Sequence, residues 1–141
     1  MKHKIFKTDN SKATILIRLM AGTVFLSEGI QKFLFADSLG SGRFAKIGLP
    51  SPEFLGSFVG LFEIICGVLI LLGLITRLAT IPLIAIMFVA IATTKTEILI
   101  NDGFWKMMHE SRTDWAMLLG NIFLFINGGG FWSLDKKIMR N

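Results

Sequence analysis

FLGSFVGLFEIICGVLILLGLI, from Phe54 to Ile75, is the stretch that decides the fold. One charge, Glu63, interrupts it. A helix needs ~20 mostly apolar residues to cross the ~30 Å hydrocarbon core of a bilayer, and this run is long enough. A helix of a soluble bundle would show a polar face every turn; Val68–Leu74 shows none. Neither does Ile81–Ala92, inside a second run from Leu78 to about Leu99. Two further apolar runs lie outside this pair, roughly Ala13 to Phe35 and Trp115 to Phe131. The last is short and ends in Gly128-Gly129-Gly130. These runs predict an all-α, integral membrane four-helix bundle. Its multi-pass spans fall at about 13–35, 54–75, 78–99 and 115–131 of a single domain, 1–141.

Composition agrees with a bilayer as solvent. The 141 residues are 52% hydrophobic and 18% charged, with a mean hydropathy of +0.63. Soluble domains carry about 25% charged residues, and disordered chains are far less apolar. One cysteine, Cys66, excludes an internal disulfide, a Cys-X-X-Cys redox pair and a cysteine zinc site. With only His3 and His109, no self-contained bis-histidine haem is expected, and no metal. The net charge of +5 forms no single basic face, so no nucleic-acid partner is expected.

Lys and Arg set orientation. Both termini and the tight turn Leu74-Ile75-Thr76-Arg77 hold Lys2, Lys4, Lys7, Lys12, Arg77, Lys136, Lys137 and Arg140; the two longer loops hold Arg43, Lys46, Lys95, Lys106 and Arg112. The richer side is predicted to be cytoplasmic, which puts both termini on the inner face of the cytoplasmic membrane. The first run is too long for a signal-peptide core, and Phe35-Ala36-Asp37 is a poor cleavage context, so it reads as a retained helix. The aromatic loop around Phe104 and Trp105 reads as a short helix at the interface. Lys95 and Glu97 read as solvated, and His109, Glu110 and Asp114 as loop decoration.

Charges inside a membrane need a reason, because each costs at least ~2.5–3.5 kcal/mol at mid-bilayer. There are four: Arg18, Glu28 and Lys32 in the first run, and Glu63 in the second. Arg18, Gly22, Phe25, Gly29 and Lys32 form one stripe at helical spacing. Gly56, Gly60, Glu63, Gly67 and Ile70 form another. Gly22, Gly29, Gly60 and Gly67 predict close helix approach, within one chain or between copies in a homo-oligomer. Side chains lean toward the helix N-terminus, so Lys32 and Glu63 on antiparallel helices lean toward each other. Arg18 leans away, toward the cytoplasmic end, and can snorkel to headgroups. The expected cluster is Glu28–Lys32–Glu63, with Gln31, Thr93, Thr94 and Asn121 as neighbours. It reads either as a charge network fixing the helices or as a small polar cavity for a ligand or proton.

The order of these segments resembles the DoxX family of small four-span membrane proteins. The motifs are Arg18-Leu19; Gly29-Ile30-Gln31-Lys32-Phe33; Gly48-Leu49-Pro50; Gly60-Leu61-Phe62-Glu63-Ile64-Ile65-Cys66-Gly67; Gly73-Leu74-Ile75-Thr76-Arg77-Leu78-Ala79; and Gly128-Gly129-Gly130-Phe131-Trp132-Ser133-Leu134-Asp135. The resemblance covers about residues 14–135. It implies a link to an archaeal thiosulfate:quinone oxidoreductase, whose subunit names the family. It also implies a link to a mycobacterial membrane oxidative-stress complex with a sulfurtransferase and a superoxide dismutase. It singles out Arg18, Lys32, Glu63 and Arg77.

Three functions follow as expectations. The first is a quinone-linked oxidoreductase subunit acting with a soluble or membrane partner. Glu63, Lys32 and Glu28 would be its catalytic residues, and Glu63, Lys32, Gln31, Arg18 and Asn121 its ligand-binding residues. Arg77 and the four glycines would be structural. The second is a non-catalytic scaffold. The third is a small proton-coupled transporter, which Lys32 disfavours by competing with a cationic substrate.

Overall fold

A computed structural model describes residues 2–140. The ends of the 1–141 domain, Met1 and Asn141, and the side chains of Lys2 and His3 lie outside the described residues. The described chain is all-α. The helices are α1 (Lys2–Ile5), α2 (Thr14–Leu34), α3 (Ala36–Leu39), α4 (Ser41–Lys46), α5 (Pro52–Leu72) and α6 (Thr76–Ala90). A π-helical segment, Ile91–Lys95, follows, then α7 (Thr96–Asp102), α8 (Phe104–Glu110), α9 (Arg112–Asn127) and α10 (Leu134–Arg140).

The four-helix bundle of spans expected from the apolar runs is corrected here. Among the described residues, two helices are long and apolar enough to cross a membrane: α5, and the continuous 27-residue helix Thr76–Asp102. The run at 13–35 forms the 21-residue α2, but Arg18, Glu28 and Lys32 all fall within it. The run at 115–131 forms a helix that stops at Asn127; α9 has 16 residues, about 24 Å at 1.5 Å per residue. Apolar content was the wrong sole criterion for these two: charge disqualifies one and length the other. The loops are helical too, with α3 and α4 in the first and α8 at Phe104 and Trp105. Large apolar side chains such as Leu61, Ile65, Leu72, Ile81 and Phe88 face outward. That arrangement is stable in lipid and unfavourable in water.

Glycine sets the closest helix contact. The α2–α5 interface is the largest in the structure. A Cβ on Gly29 would lie 2.7 Å from the Gly60 carbonyl oxygen, and one on Gly67 would lie 3.0 Å from that of Gly22. Both pairs obey one antiparallel register, since 22 and 67, like 29 and 60, sum to 89. The helices therefore touch backbone to backbone over two turns, as small residues permit.

The α5–α6 hairpin turns through Gly73, with φ 66°, and Ile75, with φ 43°. A β-branched residue in the left-handed region is costly. Asp135, fully buried, holds it there: its Oδ1 accepts the Ile75 N–H at 2.6 Å and its Oδ2 the Thr76 N–H at 2.9 Å. The carboxylate thereby caps the N-terminus of α6, where negative charge is favoured. The chain ends meet at this same end of the structure. Asp9 N–H donates to the Asn127 carbonyl, and Phe131 N–H to that of Ser11. Arg77 reaches across to the Lys7 and Ile126 carbonyls at 2.8 and 2.6 Å.

Candidate functional site

At the opposite end, away from the α5–α6 turn, the long helices diverge around a cavity of about 680 Å³. Its walls come from α2, α5, α6 with the π segment, and α9; residues 39–50 close over it. Most of the lining is apolar. Six charged side chains are present: Glu28, Lys32, Arg43, Glu63, Lys95 and Asp114. Three are cations and three anions, so the formal charges cancel.

Lys32 and Glu63 form the inner ion pair. Lys32 Nζ lies 2.7 Å from Glu63 Oε2, and the two side chains are 11% and 5% exposed. In the α2–α5 register these residues stand about six positions apart, or ~9 Å along the helices. Each side chain leans toward its own N-terminus, so they meet beside the Gly29–Gly60 contact. At that distance the ammonium neutralises the buried carboxylate.

A second ion pair closes the far wall. Lys95 Nζ lies 3.1 Å from Asp114 Oδ2 and donates to the Glu110 carbonyl at 3.0 Å. Lys95 is the last residue of the π segment. A π turn shifts hydrogen bonding from i−4 to i−5. Here the Thr93 and Thr94 hydroxyls take up the i−4 carbonyls of Val89 and Ala90, at 2.7 and 2.6 Å. The widened turn lets Thr93, Thr94 and Lys95 all line the cavity. Lys95 and Asp114 are thus paired wall residues, which corrects their reading as solvated and decorative. The signal was faint: two successive threonines before a lysine, and Gly103, with φ 89°, breaking the helix so that Asp114 returns.

The other predicted residues separate. Glu28 lines the cavity at an exposed position and makes no ion pair among the described residues. Gln31 does not line it; its amide donates to Ser27 Oγ at 2.9 Å. Thr93 and Thr94 line it. Asn121 does not. It is fully buried in α9, with Nδ2 on the Met117 carbonyl at 2.8 Å and Oδ1 unpartnered.

Arg18 belongs to the other end and does not snorkel. It is 3% exposed, and its guanidinium donates to the carbonyls of Ile70 at 2.8 Å, Leu71 at 2.5 Å, Gly129 at 3.2 Å and Trp132. Ile70 and Leu71 are in the last turn of α5, where a cation is favoured; the Ile70 carbonyl also accepts the Gly73 N–H. Arg77 likewise clamps backbone, as described above. His109 and Glu110 are exposed on α8, and the described residues contain no cluster of metal-ligating side chains.

Comparison with known proteins adds ancestry. Residues 13–96 match the DoxX family. An uncharacterized membrane protein of Mycobacterium tuberculosis is 47% identical over 143 aligned positions, covering 97% of this chain and 88% of that protein. A Bacillus subtilis protein named "Putative oxidoreductase CatD" is 30% identical, over 90% of this chain and 87% of its own. No solved structure matches the chain.

Proposed function

The chain belongs to the DoxX family, a membrane protein with more than one span, and from that premise we propose that it is the membrane subunit of a quinone-linked oxidoreductase complex. The observation that carries this reading is the cavity with the Lys32–Glu63 pair in its wall. Its volume lies within the ~300–1,000 Å³ of small-molecule sites, which are mostly apolar with a few placed polar groups. A quinone ring fits that description: a flat apolar body with two carbonyl acceptors. The oxidoreductase name of the Bacillus relative supports the same class.

A bound quinone supplies two-electron, two-proton redox chemistry. The chain's own residues would do the rest. Lys32 Nζ donates a hydrogen bond to a carbonyl oxygen and fixes ring orientation. Glu63 holds a proton at its carboxylate and exchanges it across the pair. Glu28, one turn from Lys32 and exposed at the rim, passes that proton onward. The apolar walls keep bulk water off the ring. Electrons come from a partner oxidoreductase. The basic end bearing Arg77, Lys136 and Lys137 faces the cytoplasm, so the cavity lies in the outer leaflet of the inner membrane.

Extraction of the purified protein tests this. Quinone is quantified by mass spectrometry in wild type and in the double variant Lys32→Met, Glu63→Gln at equal yield. Wild type is expected to carry at least ten times more quinone per chain. A folded double variant with an unchanged quinone content would make the pair structural and favour the scaffold reading.

A further inference from the structure

The cavity has two kinds of rim. Some lining residues are also exposed, which marks where it reaches the surface. Glu28, Arg43 and Thr113 make a polar opening beside residues 39–50. Phe58, Ala85 and Val89 make an apolar one. These three belong to α5 and α6, the two helices that meet the membrane criterion. Counting equally from the turn at Leu74, Phe58 comes level with Ala90, next to Val89, and Glu63 with Ala85. The apolar opening is therefore a vertical slot between α5 and α6, facing lipid, at the depth of the inner ion pair.

Phe58 belongs to an aromatic row on α5. Phe54, Phe58 and Phe62 follow one another at i, i+4 and i+8 along α5. Their ring centroids lie 5.6 and 4.7 Å apart. Phe54 and Phe58 are 66% and 46% exposed, whereas Phe62 packs against the core. The opposite edge is low and aliphatic, with Ala85 and Val89 one turn apart. Of the row, Phe58 lines the cavity, and with Ala85 and Val89 it gives two exposed apolar edges for a hydrocarbon chain.

We propose that the cavity takes an amphipathic ligand from the bilayer through this slot, with its polar head at Lys32–Glu63 and its apolar tail lying between Phe58 and Ala85–Val89. The tail contributes to binding and is not a passenger. This rests on the cavity being a ligand site, as proposed above, and adds the substrate class: a lipid-dissolved molecule, not a water-soluble one.

The test uses the full chain in nanodiscs and two probes, an isoprenoid-tailed naphthoquinone and the same ring without a tail. Ala85→Trp fills the slot, and Val89→Trp does so from an outward position that folding tolerates. Wild type is expected to bind the tailed probe at least tenfold more tightly. Either tryptophan variant should lose tenfold or more for the tailed probe, and Val89→Trp, a turn away from the level of the ion pair, should stay within twofold for the bare ring. The Lys32→Met, Glu63→Gln variant should lose both. Tailed-probe affinity unchanged in both tryptophan variants overturns the slot while leaving the cavity reading intact. Wild type binding neither probe overturns the cavity reading and the slot with it.

Discussion

Arg18→Ala is expected to leave almost no folded protein in the membrane fraction. Among the described residues, the Arg18 guanidinium alone joins α2 to the end of α5 and to the Gly129–Trp132 segment through side-chain hydrogen bonds of its own. Removing it takes the donor from the Leu71, Gly129 and Trp132 carbonyls at once, while Ile70 keeps the Gly73 N–H. Each buried polar group left unsatisfied costs about 1–3 kcal/mol, so the sum exceeds about 3 kcal/mol. That is a large part of the ~5–15 kcal/mol holding a typical domain. Arg18→Lys should be intermediate, because a point-like ammonium cannot match the planar fork. Detergent-extracted yield and thermal melting measure the effect, with a fall of about 10 °C or more where the variant can be recovered. Wild-type yield and melting for Arg18→Ala would show that the carbonyls find other partners.

Breaking the inner ion pair should cost more than erasing it. Lys32→Met leaves the Glu63 carboxylate buried without its cation, a loss of about 3–5 kcal/mol for such pairs. Glu63→Gln should cost less. Lys32 keeps Glu28 one turn away on the same cavity wall, within reach of a side chain at i,i−4. The double variant Lys32→Met, Glu63→Gln removes both charges and should regain most of the Lys32→Met loss. A melting double-mutant cycle therefore predicts a coupling of at least about 2 kcal/mol. Additive effects would mean that the two groups do not share one buried charge balance. The near-native stability of the double variant is also what makes it a fair control for ligand content.

The inner pair was legible in the sequence because three regularities converge there. The stripes containing Lys32 and Glu63 repeat at helical spacing, the glycines on them sum to one antiparallel register, and side-chain lean is fixed by helix geometry. The all-α class followed from apolar periodicity alone. Span count did not, because counting apolar residues ignores how Arg18, Glu28 and Lys32 alter α2 and how early α9 stops. Arg18 was found but misplaced: its four acceptors are backbone carbonyls, which no residue type announces. Asp135 was read only as part of a closing motif, yet it caps a helix some 60 positions earlier. The Lys95–Asp114 pair and the lid over the cavity were missed for a related reason. They depend on a π turn and on short loop helices, both decided by tertiary contact more than by local propensity.

A ligand held against Lys32 and Glu63 can be located in a crystal grown with a brominated quinone, because bromine gives an anomalous peak that needs no interpretation of weak ring density. The peak is expected inside the cavity, between the Lys32–Glu63 pair and the wall of Thr93, Thr94 and Lys95, and should vanish in the Lys32→Met, Glu63→Gln variant. A peak elsewhere on the surface, or none at saturating ligand, would mean that the pair holds no quinone.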